Sequence, residues 1–148
     1  MQDGNRPLYT IATAAELLEV HPRTLRLYET AGLIKPARRN GRRLFSKNDL
    51  HWLRCIRFLI HQKGLTQEGI RRLLVKEPCW ELRSCPAEVY AQCGAFGSRT
   101  RPCWSLMEHE RQRQAGQCFE CPVYLGAREQ ICCEEERQEA LAFGPELP

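Results

Sequence analysis

The segment that most restricts the fold is residues 12–45, where two short helical patterns meet at His21-Pro22 and a cationic hairpin follows. Ala12 to Val20 reads ATAAELLEV. Ala15, Leu17, Leu18 and Val20 give it one apolar side, Thr13 stands as N-cap, and Glu16 follows at capping-box spacing. Proline is tolerated where a helix begins, because the N–H it lacks would have no partner there. Pro22 therefore opens a second helix over Arg23 to Ala31, which Gly32 terminates. Leu25 and part of the Tyr28 ring turn inward. Arg23, Thr24 and Arg26 turn outward near the helix start, where a recognition helix meets base edges in the major groove.

Beyond Gly32, Leu33-Ile34 and Leu44-Phe45 bracket Lys35, Arg38, Arg39, Asn40, Gly41, Arg42 and Arg43. Asn-Gly between apolar pairs signals a two-residue β-turn. The five cations make this hairpin a wing suited to gripping phosphates. A basic run is commonly just a solvated face; its place directly after a recognition helix favours the DNA reading.

The run YTIATAAELLEVHPRTLRLYETAGLI, followed by RRNGRRLFSKNDL, closely resembles the MerR family of winged helix-turn-helix regulators, within it the heat-shock-repressor-like branch. The likeness covers roughly the first half of the chain. It implies DNA contacts from Arg23, Arg26 and the Tyr28 hydroxyl on the recognition helix, and from Arg43 on the wing. Arg42 stands where the family often carries tyrosine, so an ionic contact replaces a phenolic one. The resemblance also implies a near-palindromic double-stranded operator, a homodimer joined through a long helix, and RNA polymerase as a further partner. Its control is either activation by DNA distortion or repression by occupancy, with the wing favouring repression.

Charge divides the chain. Residues 1–78 hold 15 Lys or Arg against 7 Asp or Glu, whereas residues 79–148 hold 7 against 11. The positive half is the DNA half. Within it, Asn48 to Gln62 and Thr66 to Val75 have helical apolar spacing, the first capped by Ser46 or Asn48. Trp52 and Phe58 join the core, and Cys55 reads as a buried structural thiol. The expected fold is mainly α. A winged helix-turn-helix DNA-binding domain over residues 1–77 precedes a cysteine-rich sensor and dimerisation region over residues 78–148, with a C-terminal helix.

Eight of the nine cysteines follow residue 78. With no leader or membrane-spanning apolar stretch, the chain reads as a soluble cytoplasmic protein. There, dense cysteines argue for metal or redox chemistry rather than a disulfide framework. Cys79, Cys85, Cys93, Cys103, Cys118 and Cys121 are the candidate ligands, in loop-like sequence beside prolines, tryptophans or glycines. Only Cys118 and Cys121 have the two-residue gap that supplies two ligands from one tight loop. The other gaps, of 5, 7, 9 and 14 residues, favour an iron-sulfur cluster fed from separate loops. Zinc is the alternative, with a redox thiol pair or another thiophilic metal behind it. His109 could complete a zinc site, but its charged surroundings suit a solvated side chain. Cys132 and Cys133 are adjacent, so at most one faces a shared site. Trp80 and Trp104 read as core. For the dimer helix, Ser105 to Ala115 and Tyr124 to Phe143 are the candidates, neither with a sustained heptad.

These features describe a DNA-binding regulator whose metal centre senses redox or metal signals. A constitutive binder with a structural zinc staple is the main rival. A redox or electron-transfer protein is a weaker one, because phosphate loop, nucleophile motif and dinucleotide fingerprint are all missing from the sequence.

Overall fold

The computed structural model describes residues 3–75, 86–90, 102, 104, 122–132 and 134–142. A short 3-10 turn, Asp3–Asn5, leads into strand β1, Pro7–Thr10. Helix α1, Ile11–Leu17, begins with the Thr10 side chain accepting from the Thr13 N–H. The cap is thus Thr10 rather than Thr13, because the strand delivers Thr10 in extended geometry and leaves Thr13 inside the first turn. Helix α2, Pro22–Thr30, starts at the predicted proline, with the His21 ring accepting from the Arg23 N–H.

The end of α2 is a Schellman closure. Leu33 N–H donates to the Tyr28 carbonyl and Gly32 N–H to that of Glu29, each at 3.0 Å. Gly32 lies at φ 80°, where a Cβ would be strained. Strands β2, Ala37–Arg39, and β3, Arg42–Ser46, follow, and the sheet order is β1-β3-β2, antiparallel throughout. Asn40 and Gly41 both have positive φ, 52° and 76°. That is the two-residue turn whose twist suits a hairpin.

Ser46 then caps helix α3, Lys47–His61, in a reciprocal box with Asp49, and helix α4, Gln67–Leu73, is capped by Thr66. Helix α5 is the short Ala87–Tyr90. The C-terminal helical stretch expected as one piece over Tyr124 to Phe143 is two helices, α6 over Pro122–Ile131 and α7 over Glu134–Leu141. The break falls at Cys132, which is disulfide-bonded to Cys55 of α3. Cys55 is buried as expected, but as half of a bond rather than a free thiol. No described helix is long and apolar enough to cross a membrane.

One hydrophobic core runs through the described residues. Leu25, Tyr28, Leu33, Leu50, Leu53 and Ile56 belong to it, and so do Trp104, Tyr124 and Ala127 from beyond residue 78. Burying a side chain of this size stabilises by about 1.5–3 kcal/mol. The polar join is equally close. Buried Arg128 of α6 donates to the Asp49 carboxylate at 2.7 Å and lies over the Tyr124 ring at 4.7 Å.

Candidate nucleic-acid interface

Helix α2 has the two faces that its sequence requires. Leu25 and Tyr28 are buried, whereas Arg23, Arg26, Leu27 and Thr30 are exposed and Thr24 is half-buried. Arg23 and Arg26 therefore project together from the first two turns. Leu27 was not anticipated there. It is 49% exposed, an apolar side chain on the outer face of a recognition helix, of the kind that meets a thymine methyl. Leu27 follows Arg26 and falls off the side of the helix that Leu25 and Tyr28 share, which is the sequence signal that could have found it.

Tyr28 lies elsewhere than the outer face. Its ring is in the core, and burial raises the phenol's pKa against the opposing influence of Arg57. It lines a groove between α2 and α3 together with His21, Thr24, Arg57 and His61. The α2 register explains this: Leu25 and Tyr28 are three residues apart, on one side of the helix.

On the wing, Arg38, Arg39 and Arg42 are exposed and Arg43 is half-buried. The hairpin register sets Arg38 opposite Arg43 and Arg39 opposite Arg42. Like charges directly across a ladder repel. Glu29 of α2 answers the first pair, accepting from Arg38 at 2.8 Å and from the Arg43 guanidinium with its other oxygen. One carboxylate thereby fixes the wing against the recognition helix and removes part of the wing's charge. Sequence reading missed Glu29 because its partners are 9 and 14 residues away, well beyond helical spacing.

The backbone joining helix to wing is held from three sides. The Trp104 indole donates to the Gly32 carbonyl at 2.7 Å, the Trp52 indole donates to that of Leu33 at 2.8 Å, and Lys35 N–H donates to the Tyr124 hydroxyl at 3.0 Å. Trp104 and Tyr124 also meet edge to face, with ring centres 5.0 Å apart. Burial pushes the Tyr124 phenol well above its ordinary range, so it stays protonated. Trp104 is thus core, as expected. Cys79, Cys85, Cys93, Cys103, Cys118 and Cys121 lie outside the described residues, as do Trp80, His109 and the segment from Ser105 to Ala115. Among the described residues no cluster of three or more His, Cys, Asp or Glu could hold a metal.

The model for MerR HTH family regulatory proteins matches residues 9–77. A protein of Streptomyces coelicolor described as putative heat shock protein HspR is 34% identical over 138 residues, which is 93% of this chain and 82% of that protein. The HTH-type transcriptional regulator GlnR of Bacillus anthracis is 42% identical over 73 residues, 48% of this chain and 56% of the regulator. An uncharacterized HTH-type transcriptional regulator of Bacillus subtilis, YyaN, is 35% identical over 74 residues, 49% of this chain and 52% of its own length. No solved structure matches the chain significantly. GlnR and YyaN are described as transcriptional regulators, and the similarity to the Streptomyces protein continues past the winged domain.

Proposed function

Because the chain belongs to the MerR family of helix-turn-helix regulators, a DNA-binding transcriptional regulator by type, we propose that it binds a near-palindromic operator as a homodimer and represses by occupancy. The observation that carries this reading is the shared exposure of Arg23 and Arg26 on α2 beside the arginines of the wing. In it, Arg23 and Arg26 read base edges while Arg38, Arg39, Arg42 and Arg43 hold phosphates. Thr24 and Tyr28 stand at the groove edge and support the helix's approach. Repression rests on the heat-shock-repressor-like wing sequence; activation would add RNA polymerase as a partner.

The six cysteines between Cys79 and Cys121 form a metal centre in this proposal, with an iron-sulfur cluster favoured and a structural zinc as the second reading. A signal acts only if it favours one of two conformations. Support for such a route comes from Trp104 and Tyr124, which hold the backbone that follows the recognition helix. In this reading, loss or oxidation of the centre is felt at that backbone.

Substitution separates the contacts. Arg23→Ala or Arg26→Ala is expected to narrow the preference for operator over random DNA by about 1–3 kcal/mol, as for a lost bidentate base contact. Arg42→Ala should instead weaken all sequences alike and lower the salt slope by about one. Fluorescence anisotropy across a salt series measures both, and equal losses on specific and random DNA in all three variants would defeat the assignment. Iron and sulfide in anaerobically purified protein would support the cluster; zinc alone would support the staple.

A further inference from the structure

Among the described residues Leu8 of β1 and Leu27 of α2 are the large apolar side chains left exposed, at 58% and 49%. A single apolar side chain at a surface ordinarily carries no meaning. Leu27 differs in its place. Arg23, Arg26, Leu27 and Thr30 stand at i, i+3, i+4 and i+7 of α2 and are exposed together, so they form one stripe along the helix. A surface that meets the two arginines therefore meets Leu27 as well.

We propose that Leu27 is a specificity-determining residue, which reads the methyl group of one thymine in each half-site of the operator. The inference rests on the operator reading above and names a base that this reading leaves open. Arg23 and Arg26 beside Leu27 complement a polyanion rather than an apolar protein face. Their guanidinium groups suit the O6 and N7 acceptors of guanine, whereas Leu27 can neither donate nor accept. The apolar group that a base edge shows in the major groove is the thymine C5-methyl.

Two further contacts fit this role. The Thr30 hydroxyl donates to the Arg26 carbonyl at 3.0 Å, so its proton is spent on the main chain and leaves that end of the stripe to Leu27. The inner flank of Leu27 borders the groove between α2 and α3, whose lining includes Val20, Tyr28 and Ile60. A side chain backed in this way has less rotamer freedom to lose when DNA arrives. Spacing then locates the thymine. Leu27 is one residue from Arg26 and four from Arg23, about 1.5 and 6 Å along a helix axis, and base pairs are about 3.4 Å apart. The thymine accordingly lies within about two base pairs of a guanine that these arginines contact.

The methyl can be removed without touching a hydrogen bond, because deoxyuridine pairs as thymine does and lacks only that group. An operator is selected from random duplexes by the full chain, and its thymines are replaced by deoxyuridine one at a time. Fluorescence anisotropy then gives the affinity of the parent protein, Leu27→Ala and Leu27→Met for each duplex. One thymine in each half-site is expected to cost the parent about fourfold when demethylated, the scale of one buried methyl-sized group. Leu27→Ala should be indifferent to that replacement, and its fold is retained because the position is exposed and alanine is the stronger helix former. Leu27→Met keeps an apolar side chain of similar volume and should retain most of the sensitivity. A demethylation cost equal in the parent and Leu27→Ala would mean that the methyl acts through DNA shape, and would overturn the proposal. So would an operator whose thymines all lose their methyls at no cost to the parent. Either result leaves the operator reading standing, whereas selection that enriches no sequence would overturn that reading and this inference with it.

Discussion

Glu29 sits between two wing arginines and belongs to the recognition helix, so one carboxylate sets both the aim of the wing and the share of its charge that DNA can meet. The pairs are partly exposed, and such bridges contribute little to stability. Their effect should appear in binding instead. Glu29→Gln is expected to raise affinity for random DNA and steepen its salt dependence, because Arg38 and Arg43 are released, while the ratio of operator to random binding falls as the wing loses its anchor. Unchanged salt slopes on both DNAs would show that Glu29 restrains neither arginine. At this scale the outward arginines were legible, because helical and hairpin periodicity assigns faces. Tyr28 was legible only as partly inward, and the Arg43–Glu29 pair was not legible, since pairing across elements depends on how the wing docks.

The elements themselves were largely written in local chemistry. Pro22, Gly32, Asn40-Gly41 and the Ser46 cap each act within a few residues of where they stand, and each appears in the structure at its expected place. The exceptions have tertiary causes: β1 presents Thr10 as the α1 cap, and bonding to Cys55 accompanies the break between α6 and α7. One junction carries strain that sequence periodicity does not reveal. Glu19 closes α1 at φ 55°, with Val20 N–H reaching back to the Ala15 carbonyl at 2.9 Å. A side chain in that region costs roughly 1–2 kcal/mol, whereas glycine adds about 0.5–1 kcal/mol of chain entropy, so Glu19→Gly should stabilise by about 0.5–1 kcal/mol. Gly41→Ala should do the reverse. No neighbour lies within 4 Å of a Cβ at Gly41, but φ is +76°, so the cost is backbone strain of roughly 1–2 kcal/mol less the same entropy gain. Urea unfolding of the pair decides it, and shifts of the same sign in both would remove the left-handed backbone as the explanation.

Across the whole molecule the charge step near residue 78 suggests two parts, yet the described residues share one core and one buried ion pair across it. Composition could not reveal this, because Trp104, Tyr124 and Arg128 meet partners 72, 89 and 79 residues away. A chain ending at Val75 is therefore expected to fold with reduced stability and to bind a dye for exposed apolar surface, since Leu33, Trp52 and their neighbours lose cover. The sharper form of this expectation is Tyr124→Phe. Tyr124 contributes a full ring to the core and one hydrogen bond to the main chain, and phenylalanine keeps the ring. The variant leaves the Lys35 N–H without its acceptor, which costs about 1–3 kcal/mol when no water replaces it. Hydrogen exchange at that amide should accelerate, together with that of Leu33 and Ile34, while α1 and α4 stay as protected as before. If Lys35 exchanges at the same rate in Tyr124→Phe and in the parent protein, α6 does not hold the segment between recognition helix and wing. Faster exchange confined to that segment would mean that a change reaching α6 from the C-terminal half alters first the backbone that aims α2 at DNA.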